Sequence, residues 1–386
     1  MKLLDARVDD HLHISEFIEA DERASKGRRN KPEILRFNAN RTENLFKIMD
    51  VIRDGKYQPS KYRRFMIYDP KEREILSLPF CDRIVHQWYI EEFIKPYYIP
   101  RFIKDTYACI PERGLHQAVN VIQRYMRIMN RKYDGHYYIM KMDISKFFYN
   151  IDKNIIYEIL SSKIADPKLR QLTKVIIFDG DEHTGLPIGN YVSQYFANIY
   201  LNELDQYCKQ TLRIKYYVRY MDDFIILAPD KKTASEWYEK IDNFVNTRLK
   251  LKLNPKSRYY PARFGLEFVG YRIFNDYRLI KKRSKRKIKA IIADYQSGVD
   301  PPERFVQRVN SWHGHVAHAD TQHYTCQVLL KYWMMLPIVF PEIFKTKKNI
   351  DNKIKAEEKA QRQAKAKAAN NTKMVPNMAP DIRHRY

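Results

Sequence analysis

The sequence predicts an α+β fold in which an antiparallel sheet carries acidic side chains and helices surround it. Three observations predict it. Ile214–Pro229 reads as two apolar strands around one polar tip, IKYYVRY–MDD–FIILAP. Tyr137–Ile151, YYIMKMDISKFFYNI, is a second strand-like run with an acid inside it. Helical spacing of apolar residues recurs over residues 82–99, 114–132, 153–178, 190–212 and 232–249.

Composition narrows the function. The 386 residues are 44% hydrophobic, enough to bury a core, so whole-chain disorder is excluded. A net charge of +24 favours a polyanionic partner, nucleic acid first and an anionic membrane surface second. The 29 Tyr and 19 Phe supply rings for stacking on bases. Only 11 Gly argue against collagen-like or propeller chains. Cys81, Cys109, Cys208 and Cys326 are too far apart for a zinc ribbon or a disulfide framework. The charged N-terminus is no secretory signal, and the longest apolar runs, such as Tyr332–Phe340, are about half the roughly 20 residues of a membrane helix. The expectation is a reduced, cytoplasmic protein with a nucleic-acid partner and no membrane.

Taken in order, residues 1–56 are charged and helix-leaning, with seven Lys or Arg between Arg23 and Arg41. That run is a solvated helical face or a phosphate-contacting extension. Residues 62–79 read as a hairpin turning at Asp69-Pro70. Leu266–Tyr271 reads as a strand, and Tyr277–Ile280 as a partner for Tyr271–Phe274 across Asn275-Asp276. Seven of the nine residues Lys281–Lys289 are basic, and a mostly helical domain runs over 284–345. From Thr346 onward eleven Lys or Arg face four acids in a low-complexity tail, read as a solvated helix or disorder.

Tyr220-Met221-Asp222-Asp223 places two acids at a tip between apolar strands, where carboxylates stay solvated and can bind a metal; an ordinary Asp-rich turn is equally open on the tetrad alone. Asp143 stands alone inside an apolar strand, where an unpaired carboxylate costs several kcal/mol. A cation shared with Asp222 would account for it. Two carboxylate strands holding two Mg²⁺ are a known solution for phosphoryl transfer at a 3′-hydroxyl.

These residues resemble reverse transcriptases over about residues 28–345. YMDD is similar to that family's motif C, MDISKFF to motif A, and Gly185-Leu-Pro-Ile-Gly-Asn-Tyr-Val-Ser-Gln194 to motif B. Leu253-Asn-Pro-Lys256 resembles the end of motif D, and Gly265-Leu-Glu-Phe-Val-Gly-Tyr271 the primer grip. Lys71-Glu-Arg-Glu-Ile75 and Asp82-Arg-Ile-Val-His86 resemble the fingers pattern. Ile188 and the pair Ser193-Gln194 look like the reverse transcriptases of diversity-generating retroelements, and the thumb phrase Ser311–His318 is similar to thumb segments of that group and of group II intron enzymes. Other bacterial types (group II intron-like, retron, phage-defence) are the alternatives, followed by a non-catalytic nucleic-acid-binding scaffold.

The resemblance implies a right-hand polymerase: a basic extension at 1–56, fingers at 57–136 interleaved with part of 153–185, a palm at 137–280, a helical thumb at 281–345 and the tail at 346–386. It implies RNA-directed DNA synthesis with two Mg²⁺, for which Mn²⁺ can substitute, held by Asp143, Ile144, Asp222 and Asp223. The three acids are the catalytic set. It assigns dNTP contact to Lys71, Arg73, Phe147, Phe148, Ile188, Gly189 and Lys256. In the family the aromatic at 148 stacks under the sugar and blocks a 2′-hydroxyl. It assigns template or primer contact to Asn190, Ser193, Gln194, Phe268, Gly270, Lys281, Lys282 and Arg283. The partners it implies are template RNA, the RNA–cDNA duplex, dNTPs and a small basic accessory variability protein. The subtype implies mutagenic retrohoming with errors at adenines.

Overall fold

A computed structural model describes residues 5–68, 72–180 and 182–331. The chain divides into two compact units, Met1–Arg278 and Leu279–Tyr386. The expected turn at Asp69-Pro70, Lys71, the run Tyr332–Phe340 and the tail from Thr346 lie outside the described residues.

The first unit opens with helices α1 (Ile14–Ser25), α2 (Pro32–Ala39) and α3 (Arg41–Arg53). Their apolar faces are anchored, with Phe17, Ala20, Ile34, Phe37, Leu45 and Met49 all buried, while Lys26, Arg28, Arg29, Lys31 and Arg36 of the basic run are exposed. Charge is split along this segment. Residues 5–22 hold seven acids against Arg7, whereas the basic run starts at Arg23. Strands β1 (Arg63–Ile67) and β2 (Arg73–Ser77) then form an antiparallel hairpin with Phe65 opposite Ile75. Helix α4 (Phe80–Tyr89) runs through a π turn at Ile90–Ile94 into α5 (Lys95–Tyr98). Its Trp88 stacks on Phe17 of α1, with ring centroids 4.9 Å apart.

After α6 (Leu115–Lys132) the chain enters β3 (Tyr138–Met142), an interior strand of the main sheet. The expected strand over 137–151 stops at Met142 because Lys146 takes a left-handed conformation, φ 46°, and starts the short helix α7 (Phe147–Asn150). The expected helix over 153–178 is two, α8 (Lys153–Ser161) and α9 (Pro167–Ile177). Pro167 sits at N1, and Asp166 caps α9 by accepting from the Lys168 and Leu169 N–H groups.

Helix α10 (Tyr191–Gln206) is buried on most of its length and leads to the hairpin β4 (Tyr217–Tyr220) and β5 (Asp223–Ala228). Helix α11 (Lys231–Thr247) is capped by Asp230, and β6 (Arg258–Pro261) completes the sheet. The strand order is β4-β5-β3-β6, antiparallel throughout, with Met142 opposite Phe224. The strand expected over Leu266–Tyr271 is a hairpin, β7 (Leu266–Phe268) and β8 (Tyr271–Ile273), turning at Val269-Gly270 where both φ angles are positive. Beyond it, the Phe274 N–H donates to the Tyr277 carbonyl at 2.8 Å, closing the predicted turn at Asn275-Asp276.

The chain leaves the first unit within β9 (Arg278–Ile280). The second unit is helical where described: α12 (Lys282–Gln296), α13 (Pro302–Val316) and α14 (Gln322–Lys331). Phe305 stacks on Tyr295 at 4.2 Å, and Trp312 donates to the Ser284 carbonyl.

Candidate active site

The acids meet because of register. Met142 pairs with Phe224, so Asp143, one residue beyond, and Asp223, one residue before, leave the same end of adjacent strands. Tyr220 pairs with Asp223, which makes Met221-Asp222 a two-residue turn. Met221 is left-handed at φ 55°, a conformation unusual for a non-glycine residue and one that needs outside support.

That support is a buried ion pair beneath the turn. Arg219 is 0% exposed and donates twice to Asp205 of α10, at 2.8 and 2.6 Å. Its remaining nitrogen donates to Asn198 and to the carbonyl of Met221, at 3.1 and 3.0 Å. Tyr217 and Thr106 also donate to the Asp205 carboxylate, at 2.6 and 2.7 Å. Every carboxylate oxygen is thus satisfied, the condition under which a buried charge is tolerated. Neither Arg219 nor Asp205 is separable by sequence from an ordinary strand or helix position; an arginine inside an apolar strand is the one signal that was present.

Asp143 is held from the other side. Asn254 donates its side-chain amide to the Asp143 carboxylate at 2.8 Å and its backbone N–H to the Asp143 carbonyl at 2.7 Å. The Asp143 N–H donates to Ser257 Oγ at 3.0 Å. Ile144 is buried and bridges to Leu253, so motif A and the 252–257 segment form one backbone assembly. Burial and the nearby Asp143 carboxylate push the Asp222 carboxyl above its ordinary value, while Arg73 and Arg219 pull it back less strongly. Two half-buried carboxylates this close, one raising the other's pKa, form the donor set a hard divalent cation fits. Lys141 lies 4.0 Å from Asp223 and donates to the Glu267 carbonyl, linking the sheet to the β7–β8 hairpin.

Arg73 opens β2 and is exposed, near enough to Asp222 to act on it electrostatically. The Leu76 N–H of the same strand donates to the Ile188 carbonyl at 3.0 Å. Gly189 has φ 111°, and a Cβ there would stand 2.9 Å from Ile75 Cγ2. Glycine is therefore required both by conformation and by the closeness of the hairpin. A cavity of about 520 Å³ lies here, lined among others by Lys61, Tyr62, Arg64, Leu76, Tyr149 and Ile188. Its floor is a polar cluster: Tyr62 hydrogen-bonds Asp179, which pairs with Lys153 at 3.2 Å, and Asn190 donates to Tyr62 at 2.9 Å.

Several predicted contact residues face inward instead. Phe147 is 2% exposed and packs edge-on against the half-buried Phe148. Ser193 and Phe268 are buried in α10 and the β7–β8 hairpin, and Asn190 spends its amide on Tyr62. Motif B ends in the first turn of α10, whose buried face takes Ser193, and alternation along β7 turns Phe268 inward. Gln194 is exposed, Gly270 forms the hairpin turn, and Lys256 is exposed beside the Asn254 cap. Lys281, Lys282 and Arg283 open α12 in the second unit. Lys71 lies outside the described residues.

Residues 69–273, just over half of the chain, match the family model described as reverse transcriptase (RNA-dependent DNA polymerase), and the chain belongs to that family. Its fold is accordingly the right-hand polymerase architecture. The chain is 24% identical over 312 residues to the group II intron-encoded protein LtrA of Lactococcus lactis subsp. cremoris, a match covering 60% of this chain. It spans half the length of that curated relative. Among solved structures, telomerase from Candida albicans, determined with a fragment of telomeric RNA, aligns with a TM-score of 0.45 at 13% identity, covering 75% of this chain and 56% of that one. Apo telomerase from Candida tropicalis aligns at 0.46 and 12% identity, covering 73% and 62%.

Proposed function

We propose that the protein is an RNA-directed DNA polymerase that copies a template RNA into cDNA from dNTPs. The observation that carries this reading is the meeting of Asp143, just past the end of β3, with Asp222 in the β4–β5 turn, where Arg73 acts on it electrostatically. Bound Mg²⁺ would supply activation of the primer 3′-hydroxyl and neutralisation of the triphosphate. Asp143, Asp222 and Asp223 would hold it, with the Ile144 carbonyl alongside. Arg73 binds the triphosphate, a task suited to its planar fork, and Lys71 stands two residues before it. Phe148 stacks under the sugar. Ile188 and Gly189 lie against the nascent pair. The 3′-oxygen attacks the α-phosphorus, pyrophosphate leaves, and Lys256 is placed to protonate it.

We place the fingers at 57–136, the palm at 137–280 and the thumb at 281–345. The cavity lined by Lys61, Arg64 and the rings of Tyr62 and Tyr149 suits an unpaired template base and its phosphate. Gln194 and Gly270 contact the template–primer duplex, and the basic start of α12 supplies cations for phosphate contact in its own unit. Ile188 and Ser193-Gln194 support the diversity-generating subtype, with mutagenic retrohoming and a small basic accessory protein as partner; a group II intron-like enzyme is the alternative the LtrA match favours.

The test is Mg²⁺-dependent dNTP incorporation on a primed RNA, with and without template, followed by sequencing of the cDNA. Templated extension with errors concentrated opposite adenine supports both levels of the reading. Even errors over four bases remove the subtype and keep the polymerase. Untemplated synthesis points to a phage-defence enzyme, and no synthesis leaves a scaffold.

A further inference from the structure

Away from the sheet, three side chains from separate segments converge beside the first helix. His11 ends a 3-10 turn at Val8–His11, Glu16 lies in the first turn of α1, and Glu92 projects from the π turn after α4. His11 Nδ1 is 3.2 Å from Glu16 Oε1 and 3.5 Å from Glu92 Oε2, and all three ligand atoms lie within 4.8 Å of one another. We propose that His11, Glu16 and Glu92 form a binding site for a Zn²⁺-class divalent transition ion that ties the N-terminal turn to the π end of α4.

The two distances from His11 Nδ1 fit a coordination sphere, and the two carboxylates come within 4.8 Å of each other. An ion with bonds of about 2.0–2.1 Å sets tetrahedral ligands about 3.3–3.4 Å apart, between the two observed values. A simple histidine–carboxylate pair explains less. One Nδ1–H can point well at a single oxygen, yet the nitrogen sits between two carboxylates. Those two carboxylates also offer oxygens within 4.8 Å of each other, so their like charges oppose. A divalent ion would satisfy both acids and use the imidazole lone pair.

The surroundings hold the ligands as metal ligands are held. Trp88 Nε1 donates to the His11 carbonyl at 2.9 Å and to the second oxygen of Glu16 at 3.3 Å. The His11 ring packs edge-on against Phe93, 5.0 Å between centroids. Such outer contacts fix ring and carboxylate orientation before an ion arrives. The π turn matters too: it re-aims Glu92, and single π turns concentrate at functional sites. The three side chains are 21–27% exposed, so an ion and its fourth, water ligand have access. One imidazole with two carboxylates suits zinc or a neighbouring transition ion; Mg²⁺ prefers oxygen alone and several waters.

The test uses full-length, tag-free protein dialysed against chelator and titrated with Zn²⁺ or Co²⁺ in excess Mg²⁺, which occupies the sheet acids. Calorimetry, cobalt absorption and thermal melting are read. Wild type should bind one equivalent, show a tetrahedral cobalt spectrum and melt at higher temperature with zinc. His11→Ala and Glu92→Gln should each weaken binding at least tenfold and remove the zinc-dependent melting shift. Glu92→Gln is nearly isosteric and relieves the carboxylate repulsion, so it stays informative if His11→Ala fails to fold. Zinc bound equally by wild type and Glu92→Gln comes from elsewhere, and wild type with no heat and no shift has no site; either result overturns the proposal. None of these readouts depends on polymerase activity.

Discussion

Single residues carry the sharpest consequences. Asp222→Asn keeps the shape of the turn and removes the charge that a cation needs. Polymerisation should fall by about a thousandfold or more while RNA binding, measured by filter retention, persists. The metal-free protein should melt at a higher temperature with this substitution. The Asp222 carboxyl is held above its ordinary value, so its charge opposes folding once the pH passes the unfolded value. Arg219→Met strands Asp205 without its partner and should cost about 3–5 kcal/mol in denaturant melts. Arg219→Met with Asp205→Leu should recover much of that stability yet not the activity, because the Met221 carbonyl still lacks its donor. Recovery of activity in the double variant would show that the pair only fills space. Phe148→Ala should raise ribonucleotide over deoxyribonucleotide incorporation, read by competition on one template; an unchanged ratio would return Phe148 to the core.

At the scale of elements, legibility follows the range of the forces involved. The strand–tip–strand around Asp222, the hairpin at 62–79 and helix α10 were readable because alternation and periodicity are local. The break at Asp166-Pro167 was also written locally, as an Asp-Pro start signal inside an otherwise helical run. Asp143 was recognisable as an anomaly, but its holder was not: Asn254 lies 111 residues away, and only strand pairing brings it there. The inward turn of Ser193 and Phe268 was hidden for the related reason that a motif names positions and not the faces they take. Gly189 offers a test at this scale. Gly189→Ala meets both a positive φ and Ile75, and should cost about 1–3 kcal/mol or push the hairpin outward. A raised KM for dNTP with an intact fold by circular dichroism would mark the second outcome; an unchanged melt and KM would mean the contact is slack.

For the whole molecule, the +24 charge implies an RNA affinity that falls steeply and linearly in log–log plots against salt. The charge is not uniform, since residues 5–22 are acidic and residues 23–41 basic. Neutralising Arg28 and Arg29 should flatten the salt slope if that loop touches phosphate, and leave it unchanged if the loop is merely solvated. Among the described residues no helix is long and apolar enough to cross a membrane.

The hydrogen bond from Leu76 to the Ile188 carbonyl has a mechanical meaning. It couples the hairpin that carries Arg73 to the loop that the proposed function sets against the nascent pair. Any pull of the triphosphate on Arg73 is transmitted through one backbone link to Ile188, and a poorly seated base pair pushes back along the same path. Substrate capture and inspection of the pair then become one motion and not two checkpoints in series. A polymerase wired this way has a single tension to set, and a looser loop lowers the stringency of both at once.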